Sequence, residues 1–219
     1  MRYYIGLSLA STSGMDSGLA IFDENRNLIM VDKLYKMNDI IHFFDNYSST
    51  GDSELCVSLA WDRTMLNGKW RILSKPYQMV STNKLIPNQD NWTQRFTTRG
   101  SDYFKSLTER GANVNRFEIY LTRQSLHLNS CFKERSPADC KFLQQTLTNE
   151  WGIELPQNMM PMSQLEAITG ALLAKENYEN KQNIKTIASY RGLNVIDVIS
   201  NPNICAKENM EKVLLFNTK

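Results

Sequence analysis

The densest concentration of side chains able to do chemistry lies between Trp61 and Arg123, where eleven Lys and Arg stand against five Asp and Glu. That stretch carries a balance of +6 and the remainder −4, although the whole chain has a formal net charge of only +2. Lys69, Trp70, Arg71, Lys75, Trp92, Arg95 and Arg99 form its thickest part. Cations at this density can neutralise a phosphate backbone, and interleaved indoles can stack on exposed bases. The same composition also suits a solvated surface loop whose aromatics cover a sheet edge.

Other chemistries are less well supplied. Cys56, Cys131, Cys140 and Cys205 show no CxxC spacing, and His42 and His127 stand alone. Buried free thiols are therefore expected, rather than a zinc site or a disulfide framework. Ser8 has no paired histidine to act as its base, so it reads as a small packing residue rather than a nucleophile. Glu166 follows Ser163 by three residues, the spacing of a reciprocal helix cap. Glu118, in a short apolar run, reads as a strand acid facing solvent.

The elements that must position these residues follow from periodicity. Residues 3–10 alternate, with Tyr3, Ile5, Leu7 and Leu9 on one face and Tyr4, Gly6, Ser8 and Ala10 on the other. Polar turns then separate strands at 18–22 and 28–34, giving an antiparallel meander. A helix is expected at 39–47 with Asn38 as its cap, then a buried strand at 55–60 and a fifth strand at 117–121. Ser136-Pro137 starts a helix that Gly152 ends, and Ser163 starts another, in which Gly170 would allow close approach to a sheet. Residues 184–188 and 195–199 are candidate strands.

The order is that of an α/β domain. With 42% hydrophobic and 22% charged residues, the chain can form one core, so a single domain over 1–219 is expected, with an irregular basic and aromatic insertion at about 62–115. No apolar run of about 18 residues occurs, and the N-terminus is too weakly basic and too briefly apolar for a signal peptide. A cytoplasmic protein without a membrane span is the expectation.

Five strings in order extend this reading: Ile5 to Ala10 (Ile-Gly-Leu-Ser-Leu-Ala), Gly18 to Phe22, Val57 to Ala60, Phe117 to Tyr120, and Gln164 to Ala174. Together they resemble the family of uncharacterised predicted nucleases with an RNase H-like core. The resemblance implies a mixed sheet, a three-strand antiparallel meander plus parallel strands, flanked by helices. It places the family's first-strand acid at Ser8, its fourth-strand acid at Ala60, its fifth-strand acid at Glu118 with Tyr120 matching, and its late-helix acid at Glu166.

Enzymes of this kind hold Mg²⁺ or Mn²⁺ between clustered carboxylates. The resemblance thus implies Glu118 and Glu166 as metal ligands, with Ser8 and Asp62 completing the catalytic set. Asp62 follows Ala60 by two residues and could share its face. A serine hydroxyl cannot supply the charge of the lost acid. The implied function is binding of, or action on, nucleic acid with a degenerate metal site and weak or absent catalysis. A catalytically inactive protein-interaction or structural module is the alternative. An actin-like or sugar-kinase-like ATPase is a third reading, but it wants a first-strand acid and a second glycine-rich nucleotide motif. In any RNase H-like arrangement the first strand is central, and its small-residue face should bring Ser8 to within about 10 Å of Glu166, one helix diameter.

Overall fold

The alternation of residues 3–10 has a direct structural counterpart: β1 (Tyr3–Ser8) is a buried interior strand of a sheet. The computed structural model describes residues 2–9, 16–36, 38–39, 41–43, 53–58, 109, 113–117, 119–133, 135–190 and 193–199. β1 pairs antiparallel with β2 (Ser17–Phe22), which pairs antiparallel with β3 (Leu28–Leu34). On its other side β1 runs parallel to β4 (Ser53–Ser58), and β4 parallel to β5 (Asn113–Phe117). The hairpin of β6 (Ile184–Tyr190) and β7 (Leu193–Val198) joins through β7, so the order is β3-β2-β1-β4-β5-β7-β6.

After β5 come the helices α1 (Ile119–Ser125), α2 (Pro137–Asn149) and α3 (Met162–Glu179), of which α3 makes most of the contact with the sheet. Ser136 caps α2 by accepting the Asp139 N–H on its hydroxyl, with Pro137 in the first turn, as the sequence leads one to expect. Gly152, at φ +65°, carries the chain out of that helix. From Met162 to Lys175 α3 is buried on nearly every side, Glu166 and Lys175 included, and only its last turn reaches solvent. It lies across β1, β2 and β4 with α1 and α2 against it, and Leu165, Ile168, Leu172 and Leu173 are almost wholly buried.

Some expectations need correction. The fifth strand was expected at 117–121, but β5 ends at Phe117 and α1 begins at Ile119. A short apolar run looks alike in either state, and here burial of Ile119, Thr122, Arg123 and Leu126 follows helical spacing. α3 has no reciprocal cap: Pro161 stands at its N-cap, and its carbonyl accepts from Gln164 and Leu165. Ser163 and Glu166 lie inside the helix and spend their side chains elsewhere. Cys140 is buried, but Cys131 is exposed. The basic insertion lies almost entirely outside the described residues.

The close approach of helix and sheet is made by glycines of the strands. A Cβ on Gly6 would lie 1.8 Å from the Ala167 carbonyl oxygen and 2.3 Å from the Ala171 nitrogen. One on Gly18 would lie 1.8 Å from the Ser163 carbonyl oxygen. Both obstacles are backbone, which cannot swing aside. Gly6→Ala and Gly18→Ala should each destabilise the fold by about 3 kcal/mol, the upper end for overpacking. Gly152→Ala meets nothing within 4 Å and pays only for its positive φ, about 1 kcal/mol. Urea unfolding midpoints of the three variants check this, and equal shifts would refute the backbone contact.

Candidate functional site

Ser8 ends β1 in register with Gly18 of β2, on the face that α3 covers. With the helix backbone this close, a short side chain spans the gap. The Ser8 hydroxyl donates to Oε2 of Glu166 at 2.7 Å, and both residues are buried. The pair expected within one helix diameter is thus in direct contact. One turn earlier on α3, the Ser163 hydroxyl bonds Asp16, the residue leading into β2.

A third group reaches the same carboxylate. The Arg135 guanidinium lies 3.7 Å from Oε2 of Glu166, half exposed where the carboxylate is 5% exposed. Arg135 sits at φ +59°, a left-handed conformation uncommon for a side-chain-bearing residue. Its backbone N–H donates to Oδ2 of Asp139 at 2.9 Å. Asp139 also takes two bonds from Arg123 and one from the Ser130 hydroxyl. Burial pushes the Asp139 carboxyl up, but the Arg123 and Ser130 hydrogen bonds, the Arg123 charge and the Arg135 N–H outweigh it and hold it below the usual range. The linked groups are Arg123, Asp139, Arg135, Glu166 and Ser8, from a helix end to β1.

This donor set does not fit Mg²⁺ or Mn²⁺. Glu166 is met by a hydroxyl proton and a guanidinium where a cation would need oxygen lone pairs and negative charge. Among the described residues, no three His, Cys, Asp or Glu gather as a metal site. Asp23 is spent on its own turn, accepting from the Asn25 and Asn27 N–H groups and the Asn27 side chain. Glu118 and Asp62 lie outside the described residues, as do Lys69, Trp70, Arg71, Lys75, Trp92, Arg95 and Arg99.

Arg123, Asp139 and Arg135 escaped the sequence reading, though Asp139 is the first-turn acid of the well-signalled α2. Another buried carboxylate, Asp197 of β7, is also new. Burial raises its pKa despite the Ser125 hydroxyl at 2.6 Å and the Lys185 ammonium at 3.4 Å.

No protein-family model matches the chain, and no curated protein sequence matches it. Solved structures similar in shape include two of RuvC. One is Thermus thermophilus RuvC, at a TM-score of 0.46 and 12% identity, covering 83% of this chain and 96% of that one. The other is T. thermophilus RuvC in complex with Holliday junction substrate, at 0.43 and 11% identity with the same coverage. No helix among the described residues is long and apolar enough to cross a membrane.

The lowered Asp139 pKa fixes a sign for stability against pH. Its contribution is complete above the ordinary carboxylate range and is lost as pH falls through the depressed folded value. The unfolding free energy should therefore drop more steeply below pH 4 (roughly the unperturbed aspartate value) in the natural chain than in Asp139→Asn. Arg123→Ala, which leaves that carboxylate buried beside no guanidinium, should cost about 3–5 kcal/mol at neutral pH. Parallel pH profiles for the natural chain and Asp139→Asn would remove Asp139 from this role.

Proposed function

We propose that the chain is an RNase H-like protein that binds nucleic acid and does not hydrolyse it through the Ser8–Glu166 position. The observation that carries this reading is the site itself: where the family resemblance calls for two acids around a divalent cation, one acid is replaced by Ser8 and the other is met by Arg135. The sheet supports the frame, since an interior β1 between an antiparallel meander and a parallel β4 and β5 is the order that the resemblance implies. The +6 balance of residues 61–123 supports a polyanionic partner. Protein interaction alone is the outcome left if nucleic acid does not bind.

Two measurements test it. Calorimetric titration with Mn²⁺ should show no tight, stoichiometric binding. Tight binding abolished by Glu118→Gln would restore a metal-dependent nuclease, with Asp62 as a further ligand. Binding to single-stranded and duplex nucleic acid at low salt should be measurable and mostly electrostatic. Neutralising Lys69, Arg71, Arg95 or Arg99 should weaken it for every sequence and flatten the salt dependence by about one unit of slope per charge. Trp70→Ala and Trp92→Ala should affect single strands more than duplex. Absence of binding to either form overturns the nucleic-acid reading.

A further inference from the structure

The β6–β7 hairpin is matched more fully within itself than to the rest of the sheet. β7 pairs with β6 from Leu193 to Val198, with one irregularity between Thr186 and Ala188. Among the described residues, its register with β5 consists of the pair Arg116 and Val195. Side chains make its other ties. Ile196 and Val198 enter the main core, and Asp197 between them is 0% exposed. The Asp197 carboxylate accepts the Ser125 hydroxyl of α1 at 2.6 Å. From this arrangement we infer that the hairpin is a pH-sensitive flap, docked on α1 while Asp197 carries a proton and released when the carboxylate ionises.

The geometry makes the ionised state costly. Oδ2 of Asp197 receives the Ser125 hydroxyl and lies 3.4 Å from the Lys185 ammonium, whose side chain is 44% exposed. The buried Oδ1 has no side-chain partner among the described residues, nor has the buried Thr122 hydroxyl, one turn before Ser125 on α1. A buried charge with an unmatched oxygen costs far more than the neutral acid. The charged groups on this face are Lys185, the register partner of Asp197 on β6, and Arg116 on β5, on the same face by alternation from Val195. Arg123 of α1 is committed to Asp139. Burial outweighs the Ser125 hydroxyl, the Lys185 ammonium and the Val198 N–H, so the Asp197 carboxyl titrates above its usual range.

Release removes this conflict. Lys185 and Asp197 both belong to the hairpin, so their ion pair travels with it and is no tie to the core. The Ser125 hydrogen bond does cross to α1, and it breaks on release. Burial of Ile196 and Val198 keeps the docked state populated, and the charge on Asp197 shifts the balance against it. The sign follows from linkage. Between the ordinary aspartate value and the raised docked value, the docked hairpin holds a proton that the released one has lost. Opening should therefore rise about tenfold per pH unit in that window and level off above it. None of this rests on the nucleic-acid reading, because it uses none of the basic segment.

Amide hydrogen exchange of the full chain, followed residue by residue by NMR from about pH 4 to about pH 8 and corrected for intrinsic rates, tests the flap. A free two-stranded hairpin is marginal in water, so release exposes its amides to exchange. Opening at Ile196, Asp197 and Val198 should climb about tenfold per pH unit and then level, while Ile5 and Leu7 of β1 do not follow. Asp197→Asn keeps the shape without the charge and should give a flat profile. Lys185→Gln, at a half-exposed position, leaves the core untouched and should move the levelling to higher pH. A flat profile in the natural chain, the same rise in β1, or a rise that persists in Asp197→Asn overturns the inference. So does an unmoved levelling point in Lys185→Gln, which keeps the test decisive if Asp197→Asn does not fold.

Discussion

The contact between the backbone of α3 and the backbones of β1 and β2 governs much of the remaining structure. A helix with side chains on every facing residue stands off from a sheet by about 10 Å. Here Gly6 and Gly18 remove the side chains at the points where the Ala167 and Ser163 carbonyls arrive. The helix sinks toward the sheet, and its long apolar run is covered by strands on one side and by α1 and α2 on the other. Only at this separation can a residue as short as Ser8 hydrogen-bond a side chain of the helix.

That proximity forces a polar solution at the N-terminal half of α3. A carboxylate buried beside a strand must be neutralised or hydrogen-bonded. Glu166 has Ser8 from the sheet and Arg135 from the loop before α2. Arg135 is in turn placed by Asp139, which is itself compensated by Arg123. The charges around Glu166 alternate in sign, whereas a divalent cation is held by ligands of like charge. Asp197 is treated differently: one oxygen takes Ser125 and Lys185, while its buried Oδ1 has no side-chain partner among the described residues. Its raised pKa gives a stability contribution of opposite sign to that of Asp139, lost as pH rises through the folded value.

The two ends of α3 therefore face different chemistry. Glu166 and Lys175 are nine residues apart, about 13.5 Å along the axis. Each is a buried charge anchoring a loop to the core, Glu166 through Arg135 and Lys175 through the Glu24 carbonyl. One rigid helix positions both regions.

Local pattern was enough for the meander, because β1, β2 and β3 alternate or run apolar between polar turns, and each forms within two residues of its expected span. It was enough for α2, where Ser136, Pro137 and Gly152 act through their own backbone preferences. It placed Ser8 and Glu166 opposite each other through the faces of β1 and the family resemblance. It misplaced β5, because a five-residue apolar run carries no period that separates strand from helix. It misread Ser163 and Glu166 as partners in a cap, because spacing along the chain cannot reveal that Asp16 and Ser8 compete for them from 147 and 158 residues away. Arg135 over Glu166 and Arg26 over Trp151 were likewise invisible: each depends on a left-handed residue held by a nearby carboxylate and on a partner brought in from another element. The sequence by itself determined the meander strands and α2, since those choices are made over a few neighbouring residues. Only the tertiary structure decided which charges meet, since those distances are set by the packing of α3 on the sheet.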